Sequence, residues 1–258
     1  MPNGLLIAIV VITVLLALQA VVRITAAAFA RRDPGGQAEF GEVIFCESIR
    51  WLNIPWGAST TAAGLRRAGY RGAFTYWRWH GGWRGTLVLP AIMDRKFLEA
   101  EAQRLAEHLV AQRAEHPDRP LYLMGYSCGT FIATRALELL PEGVIVDGLA
   151  LIAGAFSPKR DLNPAAEHVR GRIVVCSSVC DGIVLLGTLV FGTADRKFTP
   201  SIGAIGYRGP ACEKVNEIRW QPGMIGLGWL GEHFTAPATR LISKHVWPLL
   251  RDTGETPD

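Results

Sequence analysis

The sequence has no glycine-rich loop of the P-loop kind, no His/Cys spacing suited to zinc and no run of basic residues. P-loop nucleotide chemistry, a structural zinc fold and a nucleic-acid surface are thereby set aside. Arg66, Arg67, Arg71, Arg78 and Arg84 are scattered, and the net charge of +4 is mild. No internal repeat is visible, which excludes solenoids and propellers. Cysteine is scarce: Cys46, Cys128, Cys176, Cys180 and Cys212 are odd in number and lack the spacing of a disulfide-stapled secreted scaffold. Cys176 and Cys180 form Cys-x3-Cys, neither the thioredoxin-like redox pair nor a usual zinc pair. Most of the five read as small buried apolar side chains. Charged residues make up only 19% of the chain against 49% hydrophobic, so disorder is excluded and 258 residues can bury one large core.

What is present begins with a long apolar run. Residues 4–22 carry no charge and contain Thr13 and Gln19 as their polar interruptions. Nineteen such residues suffice to cross the ~30 Å hydrocarbon layer as a helix. Met1-Pro2-Asn3 lacks the basic start of a signal peptide, although Ala28-Phe29-Ala30 is a passable cleavage site. The expectation is a single-pass anchor. Arg23, Arg31 and Arg32 on its carboxy side put the following domain in the cytoplasm by the positive-inside rule. The division expected is residues 1–30 for the transmembrane helix and its flank, 31–40 for a linker around Asp33-Pro34-Gly35-Gly36, and 41–258 for the globular domain.

Within that domain, short apolar runs alternate with helical patterns. Val43-Ile44-Phe45-Cys46, residues 73–79, 121–124, 144–153 and 173–176 read as strands. Residues 59–68, 95–113 (capped by Asp94) and 236–250 read as helices. Either 202–207 or 215–220 supplies the last strand. This alternation implies a mostly parallel central sheet with helices on both faces, an α/β fold.

One pentapeptide concentrates the chemistry. Gly125-Tyr126-Ser127-Cys128-Gly129 follows the strand 121–124 and precedes a helix over 130–140, which Pro141-Glu142-Gly143 stops. Glycine two before and two after a serine at a strand-to-helix junction is the nucleophile-elbow arrangement. Any side chain at those glycines would crowd the neighbouring strand or helix. A serine hydroxyl needs an imidazole base that a carboxylate orients. Asp181, after the strand ending at Cys176, and His233, in the glycine-flanked loop 228–233, are the candidates. They follow at similar gaps, 181 − 127 = 54 and 233 − 181 = 52. Asp161 is the alternative acid, or else a turn residue before Leu162-Asn163-Pro164. His108, His116 and His168 read as solvated or surface residues, and His245 falls inside the last helix.

With this motif and the order Ser, Asp, His, the chain resembles the α/β-hydrolase superfamily over residues 41–250. The resemblance implies Ser127 as nucleophile, His233 as general base and then acid, and Asp181 as orienting carboxylate. It also implies an oxyanion hole formed by the backbone N–H of Cys128 and of Glu47 or Ser48, in the loop after the first sheet strand. His80-Gly81-Gly82-Trp83 is an alternative oxyanion loop, or a turn. Trp77, Trp79 and Trp83 beside Arg78 and Arg84 could face lipid, or form an aromatic core with exposed arginines. The implied function is hydrolysis of an ester, thioester or amide on a small-molecule or lipid-like acyl substrate, with no cofactor or metal and no nucleic acid. Acyl transfer by the same acyl-enzyme and a non-catalytic binding or scaffold protein on this fold are the alternatives.

Overall fold

The computed structural model describes residues 36–48, 57–77, 79 and 94–252, with Thr13, Val14, Ala17 and Val21 as isolated helical positions. Apart from those four positions, the expected anchor lies outside the described residues. Among the described residues no helix is long and apolar enough to cross a membrane.

Six parallel strands form one sheet: β1 (Glu42–Cys46), β2 (Ala73–Trp77), β3 (Leu121–Tyr126), β4 (Gly148–Ile152), β5 (Ile173–Ser177) and β6 (Val215–Arg219). Their spatial order is β2-β1-β3-β4-β5-β6. The chain winds outward in one direction from β1 to β2 and in the other from β3 onward. Between β1 and β3 the connections therefore diverge and leave a crevice at the strands' carboxyl ends. Helices α1 (Ala58–Arg67), α2 (Arg95–Glu115), α3 (Gly129–Glu138), α4 (Asn163–Ala166), α5 (Gly182–Phe191) and α6 (Ile202–Ile205) join the strands. The chain closes with α7 (Thr239–Leu241), a π-helical turn (Ile242–Val246) and α8 (Trp247–Leu250).

The strands are buried on both faces, which is why they read as continuous apolar runs. Their pleat still sorts side chains by period two. Ile44, Leu123, Leu151 and Val175 pack with α2, α3 and α4 residues such as Leu105, Phe131 and Ala165. Val43, Met124, Ile152 and Val174 point the other way, onto Leu65 of α1 and Leu241, Val246 and Leu250 of the closing segment. Asp94 caps α2 by accepting from the Phe97 N–H at 3.0 Å, as its position at the helix start suggests.

Several expectations change. Residues 202–205 are helical and the last strand is Val215–Arg219. The strand expected over 144–153 starts at Gly148, because Val146 makes only an isolated bridge to Val169. The closing helix starts at Thr239, and its π turn precedes Pro248, which has no N–H to continue an i→i−4 ladder. His108 is half-buried rather than solvated: its ring packs at a tilt against Trp77 with centroids 5.2 Å apart, and its Nε2 is buried. Trp77 and Trp79 are buried in the core, so these two do not face lipid. Trp83, Arg78 and Arg84 lie outside the described residues, as does the His80-Gly81-Gly82-Trp83 turn.

The amino edge of the sheet is pinned by charge. Asp147, buried before β4, accepts from the Leu121 N–H at 2.7 Å and pairs with Arg170 at 2.7 Å and Arg113 at 3.5 Å. Removing one partner of such a cluster leaves buried groups unpaired. We expect Asp147→Ala to cost about 3 kcal/mol and to lower Tm by roughly 5–10 °C in thermal unfolding, without moving the carboxyl-end crevice.

Candidate active site

β3 delivers Ser127 into the crevice between β1 and β3. Its φ of 54° is a left-handed conformation that a non-glycine residue adopts at a cost of about 1–3 kcal/mol. Neighbouring structure holds it there. The Ser127 N–H donates to the Ile152 carbonyl at 2.9 Å, and the Ser127 carbonyl accepts from Thr130 Oγ1 at 2.5 Å and the Ala155 N–H at 3.3 Å. The elbow is thus bonded to the carboxyl end of β4 and to its own helix.

The two glycines of the motif are there for close approach. A Cβ on Gly125 would sit 2.6–2.9 Å from the backbone of Gly129 and Thr130. One on Gly129 would sit 2.1 Å from the Cys46 carbonyl oxygen and 2.5 Å from that of Glu47. The first turn of α3 therefore lies directly against the end of β1.

The structure brings together Ser127, His233 and Asp181. His233 Nε2 is 3.0 Å from Ser127 Oγ, and His233 Nδ1 is 2.7 Å from Asp181 Oδ2. Asp181 follows β5 and caps α5, its Oδ1 accepting from the Val184 N–H at 3.2 Å. One carboxylate thus accepts from both an imidazole and a helix amino terminus. His233 is fixed by its loop. Glu232 accepts from the Phe234 and Thr235 N–H groups at 2.8 and 2.9 Å, and Gly231 takes a φ of 93° that suits glycine. With Ser127 9% and His233 6% exposed, the hydrogen-bond chain is largely shielded from water, which strengthens its electrostatics.

Asp161 is elsewhere. It is exposed and accepts from the N–H and side-chain amide of Asn163, the turn role expected as its alternative. His245 is exposed, His116 is half-buried, and His168 Nδ1 lies 2.9 Å from the Val144 carbonyl.

Of the three oxyanion candidates, one changes status. The Ser48 N–H donates to Glu47 Oε1 at 3.0 Å, so it is spent on a carboxylate. Cys128 begins α3, where the first N–H groups have no partner in the helix ladder. Glu47 is fixed firmly: it is fully buried, and its carbonyl accepts from Trp79 Nε1 at 2.7 Å. Its carboxylate accepts from the Gly57 N–H at 3.0 and 3.1 Å and the Ala58 N–H at 2.9 Å, closing the loop onto the amino end of α1.

Two positioning contacts escaped the sequence. The Glu47 carboxylate is one, since only its backbone drew notice there. Tyr126 is the other: its hydroxyl donates to the His233 carbonyl at 2.9 Å and its ring stacks on the imidazole at 5.2 Å. A tyrosine on a strand buried on both faces needs a partner for its hydroxyl, and that was the available signal.

The cysteines are all free; Cys46, Cys128 and Cys176 are buried, most of the five as expected, while Cys212 is half-buried and Cys180 exposed. Burial pushes the Cys128 thiol up to about 12. Little of it is therefore thiolate at pH 8. The buried sulfur next to Ser127 is thus a poor nucleophile. Native protein treated with iodoacetamide at pH 8 should be alkylated fastest at Cys180, with Cys128 and Cys176 modified only after unfolding, as peptide mass mapping would show.

No protein-family model matches the sequence, and no curated protein matches it. Among solved structures, a type II thioesterase from the yersiniabactin NRPS/PKS biosynthetic pathway aligns at 23% identity with a TM-score of 0.30. That alignment covers 49% of this chain and 47% of the thioesterase, so the chain spans about half the length of that match. A Trichoderma reesei cutinase in complex with a phosphonate inhibitor aligns at 11% identity over 90% of this chain and 87% of its own, with a TM-score of 0.41. A cutinase-like protein from Cryptococcus sp. aligns at 13% identity over 81% and 92%, with a TM-score of 0.37. At these scores the likeness carries no assignment of activity, which rests instead on the geometry of Ser127, His233 and Asp181.

Proposed function

We propose that this chain is a serine hydrolase that cleaves an ester, thioester or amide through an acyl-enzyme on Ser127. The observation that carries the reading is the continuous chain Asp181–His233–Ser127, with contacts of 2.7 and 3.0 Å, on a serine held at a φ of 54°. Packing alone gives no reason to bury a serine, an imidazole and a carboxylate in a line at a strained turn.

In this reading Ser127 Oγ attacks the substrate carbonyl carbon while its proton passes to His233 Nε2. Asp181 accepts from Nδ1–H, fixes the tautomer and stabilises the imidazolium. The N–H groups of Cys128 and Glu47 are the oxyanion donors, and the tight contact at Gly129 sets their separation. His233 then protonates the leaving group, which departs as alcohol, thiol or amine. Water, deprotonated by His233, attacks the acyl-enzyme and releases the acid and the free serine. Neither metal nor organic cofactor has a step in this sequence.

The test is labelling of the full-length chain in detergent by a fluorophosphonate, beside turnover of short-chain esters and thioesters. Ser127→Ala abolishes both. His233→Ala and Asp181→Asn lower turnover by about 10³- to 10⁵-fold with little loss of stability. An alcohol or amine acceptor added to the assay divides the acyl product between acid and transfer product, which separates hydrolysis from acyl transfer. A folded wild-type chain that neither labels nor turns over any of these substrates would sink the enzyme reading and leave a binding protein on this fold.

A further inference from the structure

Among the described residues, most exposed large apolar side chains fall in one stretch of the chain. From residue 36 onward, nine of the ten large apolar residues exposed among the described residues fall between Val179 and Leu230. These segments also carry Asp181 and border His233. α5 is their centre. It holds no charged side chain, and apart from its Asp181 cap it is fastened along its inner edge: Val184 and Thr188 are buried, and Ser201 Oγ donates to the Val184 carbonyl at 3.0 Å. Ile183, Leu186 and Val190 share the outer face at helical spacing, with Leu186 61% and Val190 67% exposed.

The patch continues past both ends of the helix. Phe198, exposed, lies beside Gly192 at the carboxyl end. At the amino end, Cys180 Cβ lies 3.2 Å from where a Cβ on Gly231 would stand. Val179 and Leu230, exposed on either side of that contact, extend the patch to the His233 loop. An apolar surface of this extent marks an interaction site.

The charges around it differ in exposure by sign. Residues 182–194 and 220–231 contain no acidic side chain. The acids that follow each stretch are turned inward: Asp195 accepts from the Ser157 N–H and Thr193 Oγ1, and Glu232 from the Phe234 and Thr235 N–H groups. The cations are exposed: Arg196 and Lys197 precede Phe198, and Arg240 donates to the Gly226 carbonyl beside Ile225. An uncharged apolar face with a cationic rim complements an anionic lipid surface, where apolar side chains enter the acyl boundary and Lys or Arg stay at the headgroups.

We infer that α5, with its flanking Val179, Phe198 and Leu230, docks this protein on an anionic bilayer surface and holds the Ser127 site at the headgroup–acyl boundary. Given the hydrolase reading above, the acyl compound met there is one carried by the bilayer rather than one dissolved in water.

Hydrogen exchange on full-length Ser127→Ala, with and without phosphatidylcholine–phosphatidylglycerol vesicles, tests the docking. Amides in 179–198 and 224–231 should exchange at least about fivefold more slowly with vesicles, less so with phosphatidylcholine alone or at high salt. Vesicle-bound protein protected only elsewhere, such as in residues 4–22, overturns the proposal. So does protection that arises without lipid as protein concentration rises, which would assign the face to a second copy. In the active chain, L186E/V190E should lower the ratio of vesicle-borne to soluble-ester turnover at least about tenfold, because it puts two charges into the docking face. An unchanged ratio overturns the proposal. If wild type turns over neither ester, the hydrolase reading fails by itself, and the exchange measurement still decides the docking surface.

Discussion

The contact between the first turn of α3 and the end of β1 is the constraint on which the site depends. Gly129 brings two backbones so close that a single added Cβ would stand 2.1 Å from the Cys46 carbonyl oxygen. That approach places the Cys128 and Glu47 amides on adjoining segments, one from each side of the point where the strand order diverges. It also leaves the chain little alternative to the left-handed turn at Ser127, because β3 must end and α3 begin within two residues under this ceiling. The strain of the elbow is thus the local result of close packing, met by the hydrogen bonds of Thr130, Ile152 and Ala155.

Around this fixed point the remaining parts are held by polar groups buried for position. Buried carboxylates are costly unless fully hydrogen-bonded, and the site contains two. Asp181 meets His233 and the amino end of α5; the Glu47 carboxylate accepts from three backbone N–H groups. Both bind a loop to a helix amino terminus, so the partial positive charge of the helix helps to offset desolvation. Tyr126 ties the imidazole back to β3. Ser127, His233 and the loop at Glu47 therefore share one rigid set of neighbours, although they are more than a hundred residues apart along the chain at the extremes.

Rigidity inside contrasts with the apolar face outside. The segments that carry Asp181 and His233 expose side chains that a core would normally take, and α5 is held by its Asp181 cap and one edge. An arrangement of this kind lowers solubility and adds nothing to the stability of the isolated chain. It becomes favourable when the outer face meets an apolar phase, and its position at the rim ties that event to the site.

Some of this architecture was written locally in the chain. Apolar runs of four to six residues, separated by helical patterns, specify buried parallel strands whatever their order. Gly-x-Ser-x-Gly between a strand and a helix specifies a close approach, because glycine alone fits it. Asp181 and His233 were legible because each sits in a loop at the end of a strand. Other features depended on tertiary structure. Residues 202–205 are the more apolar stretch and 215–219 include Asn, Glu and Arg, yet pairing beside β5 made the second a strand. Ser48 looked as able to donate as Glu47 until folding turned its N–H onto a neighbouring carboxylate. His108 and Trp77 carry polar atoms that favour water, yet the packing of α2 on the sheet buried them. Sequence determines what depends on a residue and its near neighbours: period, turn chemistry and steric freedom. Which distant side chains meet, and which faces stay uncovered, is decided by the order of the strands and the space between them.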